Sequence, residues 1–361
     1  MRPRRPLPRL LETVLVVTVI AGCGAPTPPS PAPSSPSAAW TEDPVTFPVG
    51  DMTVYATLRH PVGSGGPVPA ALLIAGSGPT DRDGNSAVLP GALDTLRNVA
   101  QALSEDGVAS LRYDKLGTGQ TGLGPYARDP ATIDMAVFED EAGAALRFLA
   151  HHAGVDPTRL MVLGHSEGAL YALRLATAAP GTAPPVRALG LVEPASLRIL
   201  DQVSEQAHAQ ADAAVRAGRL TAEQAAASAA AIDRAIGQFR ATGQVPPDLP
   251  AGLRPVINPV NARALAQEDA VDPAALAAAL PRGMPVLVTC SDADIQISCG
   301  DVDQLMAGLS RAGTRTDHVR LTGVDHVLKE DPGKTMANYA RPLPFSAQFT
   351  EALAAFCRDA L

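Results

Sequence analysis

A serine, a histidine and several carboxylates that could together activate a hydroxyl nucleophile occur in this chain in a defined order. Ser166 is the centre of the pentapeptide Gly-His-Ser-Glu-Gly at residues 164–168, acidic residues follow the next predicted strands, and His326 lies near the C-terminus. A serine hydroxyl is a weak nucleophile at neutral pH, so it needs a nearby base whose imidazole is oriented by a carboxylate. The order therefore predicts a catalytic triad with Ser166 as nucleophile and His326 as base.

The carboxylate of this triad has three candidates in the sequence. Asp292 and Asp294 lie two residues apart on the loop after a strand predicted at Pro285–Thr289, and Glu193 follows the strand predicted at Val186–Val192. The order serine, acid, histidine along the chain favours Asp294. Asp292 is the second choice, and Glu193 is the third because the acid only has to reach the imidazole.

Two other histidines and one more aspartate compete for these roles. His318 falls inside a predicted strand, where a packed histidine is more common than a reactive one. His165 neighbours the nucleophile, but we expect its side chain to point away from Ser166 and to tie down local backbone. Asp114 ends the strand predicted at Val108–Tyr113, and we interpret it as a structural carboxylate that accepts hydrogen bonds from loop amides.

The segments on either side of Ser166 predict how its hydroxyl is presented. Arg159–Leu163 is a short apolar run typical of a strand, and Ala169–Ala176 has the pattern of a helix. A sharp turn between strand and helix forces the serine into strained backbone geometry, which the flanking glycines tolerate because they lack a Cβ. The amide of Glu167 then lies at a helix N-terminus, where it stabilises a developing oxyanion.

A second oxyanion donor is expected in the Gly- and Asp-rich loop at residues 75–85, which follows an apolar strand predicted at Ala70–Ile74. Enzymes whose nucleophile lies on such a strand-to-helix turn place their second oxyanion donor in a loop of this kind. We assign this donor to the backbone amide of Ser77. A phosphate-binding loop is the competing interpretation, but the Gly-Lys-Ser/Thr ending that such a loop requires is missing.

Strands that alternate with helices predict an α/β fold with a mostly parallel central sheet covered by helices. The predicted core comprises residues 44–196 and 281–361. Between them, residues 197–280 are Ala-rich and contain two long helical stretches, near Leu200–Ala217 and Thr221–Thr242. No strand pattern fits this segment, so we interpret it as an inserted helical cap, or lid, over the site, with a helical extension away from the site as the alternative.

The N-terminus carries an export pattern. Residues 1–22 are basic and then apolar, and the apolar run is too short to span a membrane. Small residues precede Cys23, so the segment resembles a bacterial lipoprotein signal in which Cys23 becomes the lipid-modified first residue. Residues 23–43 are rich in Pro and Ser and are expected to form a tether. We therefore expect an extracytoplasmic protein anchored to the cell membrane through Cys23.

Charge and cysteine usage narrow the function further. The net charge is −8, and an acidic chain without a basic stripe argues against nucleic acid as a partner. No cysteine pair has zinc spacing with histidine, so no metal is expected. With Cys23 acylated in an oxidising compartment, Cys290 and Cys299 could form a disulfide, which would leave Cys357 free in the last helix.

The chain resembles the α/β-hydrolase superfamily, within its bacterial serine esterase and aminopeptidase-like branch. The resemblance implies an α/β-hydrolase fold with a lid between the sixth and seventh strands, and it puts the nucleophile at Ser166, the acid at Asp294 and the base at His326. It rests on five segments together: Gly76–Asn85, Arg112–Lys115, Gly164–Gly168, Asp294–Ile297 and Asp325–Lys329.

These observations predict a serine hydrolase that cleaves small-molecule carboxylic esters through an acyl-enzyme intermediate, without metal or organic cofactor. A peptidase or amidase on the same scaffold is the main alternative, since loops and cap set the substrate. A non-catalytic surface-binding lipoprotein is the third hypothesis.

Overall fold

A mixed sheet of eight strands forms the centre of the protein in this computed structural model, which describes residues 39–63, 65–89 and 91–361. The strand order is β1-β2-β4-β3-β5-β6-β7-β8. The pairs β1–β2 and β2–β4 are antiparallel, and all the other pairs are parallel. The strands are β1 Trp40–Val49, β2 Met52–Pro61, β3 Val68–Ile74, β4 Ala109–Tyr113, β5 Val155–His165, β6 Ala188–Val192, β7 Pro285–Ser291 and β8 Arg315–Leu321.

Helices cover both faces of this sheet. On one face, α1 and α9 pack over the sheet, and on the other face α2, α3 and α8 do so. Each face thus has its own apolar core, which is why β4, β6 and β7 are buried along their whole length. The helices are α1 Thr95–Glu105, α2 Met135–His151, α3 Gly168–Ala176, α4 Ile199–Arg216, α5 Ala222–Thr242, α6 Ala262–Asp269, α7 Pro273–Ala278, α8 Cys299–Ala312 and α9 Ala347–Ala360.

The insertion between β6 and β7 is helical, as its composition predicts. Its first part has a small core of its own, in which Leu200 from α4, Phe239 from α5 and Leu265 from α6 pack together. Its last helix, α7, belongs to the main body instead. A Cβ at Gly308 of α8 would lie 2.2 Å from the carbonyl oxygen of Ala274, so α7 and α8 are in backbone contact.

The first strand corrects the boundary of the predicted tether. β1 begins at Trp40, which pairs with Pro61, whereas the sequence assigns residues 40–43 to the tether. Glu42 of β1 forms ion pairs with Arg59 of β2 and with Arg112, a buried residue of the interior strand β4.

The predicted signal segment 1–22, the lipid site Cys23 and the rest of the tether up to residue 38 lie outside the described residues. Among the residues that the structure does describe, no helix combines the length and the apolar character needed to cross a bilayer.

The three cysteines within the described residues have the arrangement that the sequence predicts. Cys290 near the end of β7 and Cys299 at the start of α8 form a disulfide. Cys357 is buried in α9 and has no disulfide partner within the described part of the chain. The disulfide closes the loop at residues 291–298, and this loop holds Asp294.

Candidate active site

The turn between β5 and α3 has the strained geometry that the pentapeptide predicts. Ser166 has a positive φ of 55°, a conformation that costs a non-glycine residue free energy unless its surroundings hold it. Two hydrogen bonds with the end of β6 hold it there. The Ser166 amide donates to the carbonyl of Val192 at 2.9 Å, and the Ala195 amide donates to the carbonyl of Ser166 at 3.1 Å.

The two glycines of the pentapeptide are required by close backbone contact. A Cβ at Gly164 would lie 2.2 Å from the carbonyl oxygen of Gly168, and a Cβ at Gly168 would lie 2.3 Å from the carbonyl oxygen of Ile74. No side chain fits at these distances. The strand, the turn and the helix therefore approach one another only because both positions are glycine.

Ser166 and His326 line the same cavity, whose volume is about 270 Å³. The loop after β3 and the segment after β8 form most of its wall. None of its lining residues in the described chain comes from the insertion at 197–280, so the predicted lid does not form this cavity. The lining residues are Gly76, Ser77, Gly78, Pro79, Thr80, Gly84, Ser86, Val88, Leu89, Leu93, Thr95, His165, Ser166, Gln296, His326, Val327, Met336 and Tyr339.

Asp294 and His326 form a buried pair beside this cavity. The Nδ1 atom of His326 lies 2.7 Å from Oδ2 of Asp294, and their side chains are 5% and 0% exposed. The other carboxylate oxygen accepts hydrogen bonds from the amides of Gln296 at 2.7 Å and Ile297 at 3.0 Å. Burial by itself raises the pKa of Asp294, but the His326 contact and these amides outweigh it, so the pKa lies below its ordinary value.

This pairing leaves Nε2 of His326 as the nitrogen that can act on Ser166. A carboxylate on Nδ1 fixes the tautomer that carries its proton there, so the lone pair is on Nε2. The structure thus brings together the predicted base and the predicted acid, and the predicted nucleophile lines the cavity that His326 also lines.

The other two candidate acids take different positions. Asp292 is exposed, and its carboxylate accepts a hydrogen bond from the amide of Gly323 at 2.7 Å. Glu193 is fully buried at the end of β6, where Thr289 donates a hydrogen bond to its Oε1 at 3.2 Å. Burial, and after it the charge of and hydrogen bond with Asp294, raise the pKa of Glu193 well above its ordinary value. Burial and the neighbouring Asp294 thus favour the neutral form of Glu193.

The competing histidines and Asp114 have structural positions. Nε2 of His165 lies 2.8 Å from the carbonyl oxygen of His326, which only accepts, so His165 donates. Burial, followed by the nearby His326, lowers the pKa of His165 to about 3, which keeps it neutral. His318 lies in β8, with Nε2 3.7 Å from Sγ of Cys290. Asp114 accepts hydrogen bonds from the amides of Arg82 and Gln120, as predicted.

The predicted oxyanion donors border the nucleophile. Ser77 lines the cavity, and a Cβ at the preceding Gly76 would lie 3.1 Å from Cβ of Ser166. Glu167 is the N-cap of α3, so its amide belongs to the first turn of that helix. A residue that sequence reasoning did not assign connects these two segments: Lys115 donates hydrogen bonds to the carbonyl of Gly76 and to the carboxylate of Glu167.

The insertion contacts the site from outside, through the loop that holds Asp294. The side-chain amides of Gln202 and Gln206 on α4 both donate to the carbonyl of Gln296, at 3.4 and 3.0 Å. The insertion therefore supports the loop at residues 291–298, which holds Asp294, although it does not line the cavity. Periodicity in the sequence shows that α4 is a helix, but not which loop its polar face meets.

No aspartate, glutamate, lysine or arginine is among the described residues that line the cavity. Val88, Leu89 and Met336 supply apolar surface, and histidine, serine, threonine, glutamine and tyrosine supply the polar side chains. Val88 and Met336 are 75% and 40% exposed, which is unusual for apolar residues in this chain. The cavity surface thus combines apolar side chains with neutral polar ones.

Comparison with known proteins gives one curated relative and many structural neighbours. No protein-family model matches the chain. Over 169 residues, the chain is 34% identical to esterase EstD of Thermotoga maritima; the match covers 45% of this chain and 38% of that esterase. The chain thus spans well under half the length of this relative.

Solved structures with the same architecture cover nearly the whole chain. Est1E of Butyrivibrio proteoclasticus, solved with ferulic acid bound, matches with a TM-score of 0.53 and 15% identity, over 88% of this chain and 98% of its own. An esterase of Pyrococcus furiosus matches with a TM-score of 0.52 and 13% identity, over 92% and 96%. The α/β hydrolase GrgF of Penicillium matches with a TM-score of 0.52 and 13% identity, over 89% of this chain and 99% of its own. The chain has the α/β-hydrolase fold.

Proposed function

We propose that the protein is a serine hydrolase that cleaves carboxylic esters through an acyl-enzyme intermediate, with Ser166, His326 and Asp294 as its triad. The observation that carries this proposal is the 2.7 Å contact of Asp294 with His326, whose imidazole lines the same cavity as the strained Ser166. The partial match to an esterase supports the same reaction class.

The proposed reaction begins when Oγ of Ser166 attacks the ester carbonyl carbon and Nε2 of His326 takes the hydroxyl proton. Asp294 stabilises the resulting imidazolium, and the amides of Ser77 and Glu167 bind the oxyanion. Collapse of the tetrahedral intermediate breaks the bond to the alcohol, which leaves with the proton from His326. A water molecule then repeats the sequence on the acyl-enzyme and releases the carboxylic acid.

An ester with a small, neutral acyl group fits this cavity better than a peptide with a free N-terminus. An aminopeptidase needs carboxylates to bind the substrate ammonium, because an unpaired charge is costly to bury. No aspartate or glutamate lines the cavity among the described residues. Its volume of about 270 Å³ lies just below the range of about 300–1,000 Å³ that is typical for drug-sized ligands, which favours short acyl chains.

The experiment is to treat the purified protein with a fluorophosphonate probe and with p-nitrophenyl esters of increasing acyl length. Labelling and turnover are expected in the wild type, and both should disappear in Ser166→Ala. Ser310→Ala, on the exposed surface of α8, is the matched control and should behave as the wild type. Labelling that persists in Ser166→Ala would refute the nucleophile. A wild type that reacts with no activated ester would favour the non-catalytic hypothesis, and preference for an aminoacyl amide would favour the peptidase.

We also propose that the enzyme is exported and anchored to the membrane through a lipid on Cys23. The basic and apolar order of residues 1–22 supports export, and the Cys290–Cys299 disulfide is of the kind that persists in oxidising compartments. Metabolic labelling with a radioactive fatty acid tests the anchor. The wild type should carry the label in the membrane fraction, and Cys23→Ala should lose it.

A further inference from the structure

Lys115 lies in the loop after β4, with contacts that join two segments of the candidate site. Its Nζ atom is 2.5 Å from the carbonyl oxygen of Gly76 and 3.4 Å from Oε2 of Glu167. The side chains of Lys115 and Glu167 are 12% and 14% exposed. A partly buried ammonium that donates to a backbone carbonyl makes a charge-assisted hydrogen bond, which is stronger than a neutral one.

The contact with Gly76 matters because of the chemistry of the peptide group. The carbonyl of Gly76 and the amide N–H of Ser77 belong to the same planar peptide unit, and in a trans peptide they point in opposite directions. A donor that fixes the carbonyl on one side therefore fixes the direction of the Ser77 N–H on the other side. The positive charge of the Lys115 ammonium beside the carbonyl oxygen also polarises the peptide unit, so the N–H becomes a stronger donor.

The contact with Glu167 ties the same ammonium to the second amide. Glu167 is the N-cap of α3 and follows Ser166 directly, so this contact tethers the residue that carries the second amide. Two further carboxyl groups face this pair, Glu141 from α2 and Glu268 from α6. Burial, opposed by Lys115 among others, raises the pKa of Glu141 to about 8, and burial followed by the charge of Glu167 raises that of Glu268 well above its ordinary value. Both shifts favour the neutral form of these two carboxyl groups, and the salt bridge of Lys115 is with Glu167.

We propose that Lys115 is a positioning residue that aims and polarises the oxyanion hole, by holding the Gly76–Ser77 peptide and the start of α3 in a fixed relation. This inference rests on the proposed function, because it concerns how the amides of Ser77 and Glu167 bind the oxyanion. Lys115 does not line the cavity, so it acts on the reaction through the peptide groups.

The test is Lys115→Met, which removes the ammonium and keeps most of the side-chain length. Loss of a whole oxyanion donor costs about 10²- to 10³-fold in kcat, and a misaimed donor should cost part of this, about 10- to 100-fold. KM should change by no more than about twofold, because the hole acts on the transition state. A trifluoromethyl ketone, which forms a hemiketal oxyanion with Ser166, should bind more weakly by the same factor as kcat/KM falls. A matched carboxamide should bind equally well.

A double variant separates positioning from simple charge imbalance. Lys115→Met leaves the Glu167 carboxylate without its partner, whereas Lys115→Met/Glu167→Gln removes both charges and still lacks the donor to Gly76. The double variant is expected to melt as the wild type does and to keep the low kcat. If it regains wild-type kcat and ketone affinity, the positioning role is wrong. Lys334→Met, at an exposed position, is the control for loss of a lysine.

The outcome is distinguishable from failure of the proposed function. If the wild type hydrolyses no ester and Ser166 takes no probe, the proposed function fails, and Lys115 has no oxyanion hole to position. If the wild type is active and Lys115→Met is folded with unchanged kcat, only the role of Lys115 is refuted.

Discussion

Glu193 and Asp294 are neighbouring buried carboxyl groups at the ends of the parallel strands, and after burial the charge of Asp294 raises the pKa of Glu193 well above its ordinary value. Burial and the neighbouring Asp294 therefore favour the protonated form of Glu193. Asp294 keeps the charge that faces His326. The two residues that competed for one role in the sequence are therefore partners in the structure.

This pairing predicts opposite results for two conservative substitutions. Glu193→Gln replaces one neutral donor by another, so kcat should stay within about threefold of the wild type. Asp294→Asn removes the charge that orients His326, and kcat should fall by about 10⁴-fold. Steady-state ester hydrolysis measures both. The reverse pattern would identify Glu193 as the ionised acid.

The disulfide Cys290–Cys299 is expected to support activity as well as stability, because it closes the loop that holds Asp294. The double substitution Cys290→Ser/Cys299→Ser should destabilise the fold by about 2–3 kcal/mol. Its kcat should fall about 10- to 100-fold as the acid loop loosens. Thermal denaturation and kinetics measure the two effects. Cys357→Ala, in buried α9, is the control, and an equal loss of kcat there would contradict this role.

Glu141 predicts a dependence of stability on pH. Its carboxyl is protonated in the folded protein up to about pH 8, whereas its ordinary pKa is 4.5. Between these values the folded state holds a proton that the unfolded state releases, so this residue's contribution to stability falls as pH rises through the window. Glu141→Gln lacks this slope, and its free energy of unfolding should exceed that of the wild type by more at pH 8.5 than at pH 5. Urea denaturation at both values checks this, with Asp140→Asn on the same helix as the control.

The glycines of the nucleophile turn predict another contrast. Gly164→Ala would bring a Cβ to 2.2 Å from the carbonyl oxygen of Gly168, and should cost about 1–3 kcal/mol or prevent folding. Gly237→Ala in the middle of α5 meets no atom within 4 Å. It should stabilise the protein by about 0.5–1 kcal/mol, since alanine favours the helix. Urea denaturation measures both, and equal effects would contradict the steric argument.

The apolar residues of the cavity wall, Val88, Leu89 and Met336, predict how an added charge affects substrate binding. Met336→Glu should raise KM for neutral p-nitrophenyl esters by about 10-fold, because it adds a hydrated charge where the acyl part binds. Val260→Glu makes the same change at another exposed apolar residue and should leave KM unaltered. An ester series from acetate to octanoate measures both. An unchanged KM in Met336→Glu would place the acyl group elsewhere.

The sequence predicted the parts of the site that depend on local chemistry and on chain order. The turn at Ser166 follows from a strand, two glycines and a helix, and the parallel sheet brings the loops after β5 and β7 to one edge, next to the segment after β8. Chain order and the family resemblance put Asp294 with His326, and the two side chains are in contact in the structure. The alternation of strands and helices predicted the parallel α/β sheet, and the resemblance implied the α/β-hydrolase fold that the structure has.

The remaining features depend on contacts between distant segments. Glu42 pairs with Arg112, which is 70 residues away in the sequence. Composition does not reveal such a distant partner, so the sequence pattern assigns the start of β1 to the tether. The polar face of α4 contacts Gln296. Helical periodicity does not show whether such a helix covers the cavity or supports the loop that holds Asp294. Lys115 follows Asp114 in the sequence, but its partner Gly76 becomes apparent only once β3 and β4 lie side by side.

β1 is an edge strand of the sheet, and its residues affect whether an extended segment of another chain can pair with it. A free strand edge offers unpaired backbone groups to any passing extended segment, which is a route to aggregation. β1 carries Pro44 and Pro48, which have no N–H to donate. At the opposite border, β8 presents Arg315, Asp317 and Arg320. Both borders of the sheet therefore discourage recruitment of a ninth strand, which protects the protein from self-assembly into fibrils.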